Sequence, residues 1–284
     1  MNLKIGIVGL GIMGMGIANN FLKKGYPLYV WNRTSSRADD LVSKGAVRCI
    51  SPAEVASKSD IVFEVTANDK SSRFVWLGRS GILAGANHKK ILIECATVSI
   101  GWIDELIKLC NQNKFNFFDM AMTGGRIGAE TGTLTLLVGG NKLIFKTLEP
   151  TLAVIAKKTV YFGAQGQGMR YKLILNFLQA VHIIGYGQAM KIAKANNMNI
   201  KKVSNALVEK PGGVVTAVAE RTYFQDPNPI TFSIDWIIKD LMYAKKFAKR
   251  LDVSLLDDVL KKYKKAADHG FTNRDWASIN RLLE

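Results

Sequence analysis

Cysteine is scarce: Cys49, Cys95 and Cys110 stand far apart, without the spacing of a metal site. That argues against a disulfide framework and is read as reduced thiols in a cytoplasmic protein. Histidine is as rare, and His88, His182 and His269 are scattered, so neither metal nor triad chemistry is expected. No uninterrupted apolar run approaches the roughly 18 residues that span a bilayer. The N-terminus lacks a signal-peptide pattern, since residues 1–8 lead straight into a strand, and repeats and low-complexity tracts are missing. No membrane partner is expected. Acidic residues are in the minority, 23 Asp+Glu against 39 Lys+Arg, for a net charge of +16. Such an excess raises the possibility of nucleic acid, because phosphate neutralisation drives non-specific binding. The lysines, however, are spread along the chain, with short clusters only at Lys245-Lys246 and 261–265. Helical spacing there describes a solvated face, so nucleic acid is not an expected partner. A positive field of this kind helps to collect an anionic cofactor and substrate.

What is present begins with Gly9-Leu10-Gly11-Ile12-Met13-Gly14, directly after the apolar run 3–8. Such a run suits a buried parallel strand, whose two faces are covered by crossover helices. Residues 15–24 then read as a helix closing at Gly25. Gly9 allows the tight strand-to-helix turn, Gly11 lets a pyrophosphate approach the backbone, and Gly14 lets helix and strand pack closely. The phosphates would sit on N–H groups at the helix N-terminus. A dinucleotide site is expected here.

At 284 residues and 48% hydrophobic content the chain suggests two domains. Strands are expected at 28–31, 61–65, 91–95, 115–119 and 134–138, with helices at 35–45 and 100–111. Alternation of this kind indicates an α/β fold, a doubly wound parallel sheet of the Rossmann type. From about 168 to 197 the pattern is one long linking helix, followed by helices at 200–209, 236–249 and 254–268 and no convincing strand. The division is therefore placed at 1–163 and 164–284, the second domain all-α, with a Gly-rich turn at 163–168 between them.

The cofactor's ribose should meet the end of the second strand. An acidic residue there binds the 2′-hydroxyl of NAD, and a nearby arginine accommodates the 2′-phosphate of NADP. The chain reads Trp31-Asn32-Arg33-Thr34-Ser35, with no carboxylate. Arg33 can bind phosphate through planar, charge-assisted contacts, and Thr34 and Ser35 add hydroxyl donors. NADP(H) is the expected preference, with NAD(H) possible.

Four separated motifs, in order, resemble the β-hydroxyacid dehydrogenase family, the group with 3-hydroxyisobutyrate dehydrogenase and glyoxylate/succinic semialdehyde reductase. They are the Gly9–Gly14 segment extended by Gly16, Ala18, Asn19 and Gly25; Asp119 to Gly125 continuing into 128–134; Gly166-Gln167-Gly168 with Lys172 and Asn176; and Lys239-Asp240-Leu241. The likeness covers essentially the whole chain and implies a Rossmann domain followed by a helical one. The family's substrate motif usually carries proline, valine and serine before its two glycines, where Ala121, Met122 and Thr123 stand here. Thr123 keeps the hydroxyl and adds a methyl group, which narrows the carboxylate pocket.

The resemblance implies that Lys172 donates the proton in catalysis and that Asn176 orients lysine or substrate. Four apart on a helix, they project from one face. A lysine can serve as an acid near neutrality when desolvation lowers its pKa, and Leu173, Ile174, Leu175, Phe177 and Leu178 supply apolar surroundings. Thr123, Gly124 and Gly125 are expected to anchor a substrate carboxylate on backbone N–H groups and one hydroxyl. Asp119 is assigned to strand-end structure. In an open parallel sheet ligands gather beyond the strands' carboxyl ends, which points to Asn68 and Thr97 on the cofactor, although either residue can instead cap a helix. By resemblance Thr97 meets the nicotinamide end, Lys239 reaches cofactor or substrate, and Phe232 walls the pocket; Trp236, Tyr243 and Phe247 read as core.

The sequence thus points to an NADPH-dependent reductase of a short aldehyde acid, or in reverse the oxidation of a hydroxy acid. The alternatives are an NAD-dependent 3-hydroxyisobutyrate dehydrogenase, an imine reductase (disfavoured by the presence of Lys172) and a non-catalytic Rossmann module. The resemblance also implies a homo-oligomer, dimer or tetramer.

Overall fold

The computed structural model describes residues 3–209, 219–220, 223–248 and 252–282; the expected helix end at Lys249 and the first two residues lie outside them. The chain divides into two compact units, Met1–Lys172 and Leu173–Glu284.

The first unit is built on eight strands: β1 (Ile5–Val8), β2 (Leu28–Trp31), β3 (Val47–Arg48), β4 (Ile61–Glu64), β5 (Ile91–Glu94), β6 (Asn116–Thr123), β7 (Leu134–Gly139) and β8 (Ala156–Gly163). They lie in one sheet in the order β3-β2-β1-β4-β5-β6-β7-β8. β1 and β4 run as Ile-Gly-Ile-Val and Ile-Val-Phe-Glu with every residue buried, as a parallel strand covered on both faces requires. β1 and β4 are parallel neighbours at which the strand order reverses, which opens a crevice at their carboxyl ends, where such sheets bind ligands.

Its helices are α1 (Ile12–Lys23), α2 (Asp39–Ser43), α3 (Pro52–Lys58), α4 (Asp69–Trp76), α5 (Ile82–Gly85), α6 (Ile100–Gln112), α7 (Gly125–Thr131) and α8 (Lys142–Leu152). The expected helix at 35–45 is a 3-10 turn, Ser35–Ala38, leading into α2.

Two departures from a purely parallel sheet have physical reasons. β6 and β7 pair antiparallel, Met120 opposite Val138 and Thr123 opposite Thr135. The single short helix α7 between them is too little chain for a parallel crossover. β6 also runs on to Thr123, so Asp119 lies inside the strand rather than at its end. β3 and β8 escape the sequence pattern because both are edge strands: β3 is exposed at both residues, and β8 carries exposed Lys157 and Lys158.

The second unit is helical. Helix α9 (Gln167–Ala195) runs into it and is followed by α10 (Ile200–Glu209), α11 (Ile234–Ala248), α12 (Ser254–Asp268) and α13 (Ile279–Leu282). Ile183, Ile184, Met190, Ile237, Leu241, Val259, Leu260 and Tyr263 form its core. The first turn of α9 belongs to the first unit: Met169 is fully buried there, and its amide donates to Asp119 at 2.7 Å. The glycine-rich turn at 163–168 therefore precedes the division, which falls within the helix. By length and composition alone, α9 is long and apolar enough to cross a membrane. Buried Asn176 interrupts its apolar run.

Candidate active site

The three glycines after β1 fill three geometric roles. Gly9 turns the chain at φ +104°, and a Cβ there would lie 2.6 Å from the Val65 carbonyl oxygen. At Gly14 a Cβ would lie 1.9 Å from the Gly9 carbonyl oxygen, so only glycine lets α1 start this close to the strand. Gly11 faces open space, with nothing within 4 Å of a Cβ position. Leu10 is buried, while Ile12 and Met13 stand in the first turn of α1, whose N–H groups have no partner within the helix. A dinucleotide pyrophosphate fits this cradle: the room is on the Gly11 side and the donors point into it.

Asn32 has a role that the sequence does not disclose. Its Oδ1 accepts the Leu10 amide at 2.9 Å, and its Nδ2 donates to the Thr34 carbonyl at 2.9 Å. The side chain thus holds the glycine turn against the end of β2. Arg33 and Thr34 are exposed, and no side-chain cap bond fixes the Thr34 hydroxyl on the following 3-10 turn.

The turns after β4 and β5 carry the next two candidates. Asn68 caps α4: its Oδ1 accepts the Ser71 amide at 3.0 Å, while Ser71 Oγ accepts the Asn68 amide at 3.1 Å. Thr97 is half-buried, and the N-cap of α6 is Ser99. Asp69 joins the two turns, accepting the Ser99 amide at 2.8 Å and its hydroxyl at 2.5 Å.

Thr123 ends β6, and Gly124 (φ +118°) and Gly125 (φ +59°) turn the chain into α7. α7 packs on α1, and Gly16 is what permits it, since a Cβ there would meet Ala129 at 2.7 Å. Asn20 secures the contact, donating to the Ala129 carbonyl at 2.7 Å. The Thr123–Gly125 turn and the glycine cradle are therefore tied to the same helix. Asn20 is a buried polar residue inside an apolar helix face, and its partner lies 109 residues away.

Asp119 anchors the start of α9. Fully buried, it accepts the Gly166 amide at 2.5 Å and the Met169 amide at 2.7 Å. Burial raises its pKa, opposed by those two amides. Gly168 makes the approach possible, because a Cβ there would sit 2.2 Å from the Leu137 carbonyl oxygen.

Lys172 follows on α9 and is only 8% exposed; among the described residues no other lysine or arginine is buried. Four residues on, buried Asn176 donates to Asp240 Oδ2 at 2.6 Å. Asp240 Oδ1 lies 3.1 Å from Lys239 Nζ, which also stands 5.6 Å from the Tyr243 ring. Asn176, Lys239 and Asp240 thus form one network in the second unit. Phe232 is packed edge-on against Trp236 and Trp276, at 5.7 and 5.4 Å between ring centres.

Two family models match the chain: "NAD binding domain of 6-phosphogluconate dehydrogenase" over residues 4–163, and "NAD-binding of NADP-dependent 3-hydroxyisobutyrate dehydrogenase" over 166–283. An uncharacterised oxidoreductase of Shewanella frigidimarina is 30% identical, over 87% of this chain and 86% of its own. A chloroplastic glyoxylate/succinic semialdehyde reductase 2 of Arabidopsis thaliana is 26% identical, over 99% of this chain and 80% of its own. The fold matches that of a solved 3-hydroxyisobutyrate dehydrogenase of Mycobacterium tuberculosis with TM-score 0.87 at 23% identity, each chain covered in full. A glycine cradle shaped for a dinucleotide and matches along both units lead to one conclusion: the chain belongs to the 3-hydroxyisobutyrate dehydrogenase-like β-hydroxyacid dehydrogenases, a family of NAD(P)-dependent oxidoreductases.

Proposed function

We propose that the protein is an NADPH-dependent reductase of short aldehyde acids of the glyoxylate or succinic semialdehyde kind, with Lys172 as the proton donor. The observation that carries this reading is the burial of Lys172. An ammonium group taken out of water has lost hydration that a surface lysine keeps, and a chemical role accounts for that cost. When bound, the reduced nicotinamide supplies the hydride equivalent to the carbonyl carbon. Lys172 Nζ gives its proton to the carbonyl oxygen as negative charge develops there. Asn176, fixed by Asp240, orients the donor, and Lys239, held by the same carboxylate, meets cofactor or substrate. Thr123 and the N–H groups of Gly124 and Gly125 take the substrate carboxylate, and Phe232 contributes an apolar wall. The Gly9–Gly14 cradle holds the pyrophosphate, Asn68 and Thr97 flank the nicotinamide, and Arg33 with Thr34 takes the 2′-phosphate.

The preference for NADPH rests on exposed Arg33 and the lack of a carboxylate after β2. NAD-dependent oxidation of 3-hydroxyisobutyrate is the second reading; a relative and a matching family model carry that substrate's name, the model in its NADP-dependent form. Ile174, Leu178 and Ile192 on α9 are about half exposed or more and fall on one side of the helix, an apolar stripe that suits a second copy of the chain.

The test is a spectrophotometric screen of NADPH and NADH against glyoxylate, succinic semialdehyde, tartronate semialdehyde and methylmalonate semialdehyde. Lys172→Ala should lower kcat by about three orders of magnitude and leave NADPH binding largely intact. Wild-type turnover in that variant removes Lys172 from the chemistry. A protein that binds NADPH and turns over none of the panel removes the substrate class.

A further inference from the structure

Glu64 and Glu94 have no part in the proposed chemistry, yet both are completely buried at the carboxyl ends of neighbouring strands. β4 and β5 pair in parallel with Glu64 directly opposite Glu94, so the two side chains leave the sheet on the same face. Each carboxyl reaches forward to the turn beyond its own strand. Glu64 Oε1 accepts the Thr66 amide at 2.9 Å, and Glu94 Oε1 accepts the Ala96 amide at 2.8 Å. These are the turns that present Asn68 and Thr97.

Neutral donors hold the other side of Glu94. Its Oε2 accepts Ser72 Oγ at 2.5 Å and Trp76 Nε1 at 2.9 Å, both from α4, and Ser72 Oγ in turn accepts Trp102 Nε1 of α6 at 2.8 Å. Glu64 Oε2 is buried and receives no bond from any amide, hydroxyl or indole among the described residues. The Thr66 hydroxyl and the Ala96 amide also bear on this carboxyl, and beside them stands the facing carboxyl of Glu94; two carboxylates can bond each other only through a proton.

We propose that Glu64 and Glu94 share one proton in a buried carboxyl pair, and that this pair positions the turns carrying Asn68 and Thr97 for the NAD(P) cofactor. The positioning half rests on the cofactor reading of those turns; the pairing half does not. Electrostatics agree with it. Burial and the charge of Glu64 push Glu94 far above the ordinary carboxyl value of 4.5, and burial raises Glu64 as well. On α4, Asp69 is a further carboxyl, and Arg73 is bound to Glu105 of α6 at 2.5 Å, with its guanidinium over the Trp102 ring. Cys95, just after β5, and Cys110 on α6 are thiols driven further from ionisation, by burial first and then by the Glu94 charge. Asp119, opposite Glu94 on β6, adds another carboxyl.

The sign of the pH effect follows. The folded protein binds this proton more tightly than the unfolded chain does. The associated stability is therefore full below about pH 4.5 and is lost as pH rises through the folded-state value. When the proton leaves, two like charges face each other in a dry site, and the turns they hold must part.

Glu64→Gln tests this. Its amide nitrogen supplies a permanent hydrogen to Glu94, and its carbonyl oxygen still accepts the Thr66 amide. Melting temperature and NADPH dissociation constant, from fluorescence titration, are measured for both proteins from about pH 5 to about pH 9. The wild-type Tm should fall more steeply than that of E64Q, and the wild-type to E64Q ratio of Kd should rise about tenfold across the range. Parallel Tm curves overturn the shared proton. Diverging Tm with a constant Kd ratio overturns the positioning role and leaves the oxidoreductase reading untouched. A folded wild type that binds no dinucleotide at any pH overturns the positioning role together with the cofactor reading. Should E64Q fail to fold, Glu94→Gln makes the same bond from the other side and is read against the same outcomes.

Discussion

The two units bury polar groups to different ends. In the sheet unit, buried carboxyls hold backbone: Glu64 and Glu94 accept amides from the turns beyond their own strands, and Asp119 accepts amides at the start of α9. In the helical unit, a buried carboxyl holds side chains: Asp240 takes Asn176 on one oxygen and Lys239 on the other. An amide cradle fixes where a loop runs, whereas a side-chain network fixes where a functional group points. The first arrangement suits a platform for a cofactor, the second suits groups that meet the reacting molecule.

Substitutions can break that contrast. The largest effect is expected at Gly14→Ala, where a methyl group would overlap the Gly9 carbonyl. Stability measured by urea unfolding should drop by about 3 kcal/mol and dinucleotide binding should vanish. Gly11→Ala, facing open space, should cost less than about 1 kcal/mol and still weaken NADPH. Equal losses of stability would mean that the cradle is shaped for packing rather than for a ligand.

The next effect separates the two kinds of buried carboxyl. Asp119→Asn turns an amide NH2 toward one of two backbone donors and should cost about 3 kcal/mol, again by urea unfolding. Asn176→Ala leaves Asp240 its contact with Lys239 and should cost about 2 kcal/mol, with a larger proportional loss in kcat. If Asn176→Ala proved the more destabilising and left kcat alone, the helical network would be structural scaffolding.

The smallest effect sharpens the cofactor assignment. Arg33 is exposed, so Arg33→Ala should leave Tm unchanged while raising the KM for NADPH about tenfold and that for NADH little. Equal changes in the two KM values would remove the phosphate contact.

The legible parts of the molecule are those whose partners are close in sequence. Gly9, Gly11 and Gly14 lie within six residues, and strand, turn and helix together dictate their spacing. Lys172 and Asn176 share a helix for the same reason. What stays hidden depends on register between distant segments. Nothing near Glu64 announces Glu94, because only the pairing of β4 with β5 sets them opposite each other. Asn32 reads as a ribose contact from its place after β2, yet its amide ties down Leu10 across the sheet. Asn20 reads as one more helix residue until α7 is laid against α1. β3 and β8 are missed because an edge strand has one wet side and loses the apolar run by which an inner strand is known.

The two edge strands also bear on how the protein behaves in a crowded solution. The outermost strand of a sheet is a ladder with one rail missing, open to completion by a stray chain. β8 meets the danger with Lys157 and Lys158 side by side, so any guest strand must bring its own backbone up against two ammonium groups and their tightly held water. Part of the surplus of basic residues thereby acts as a guard against self-stacking, and replacing this pair with valines would invite fibres well before it disturbed the cofactor platform.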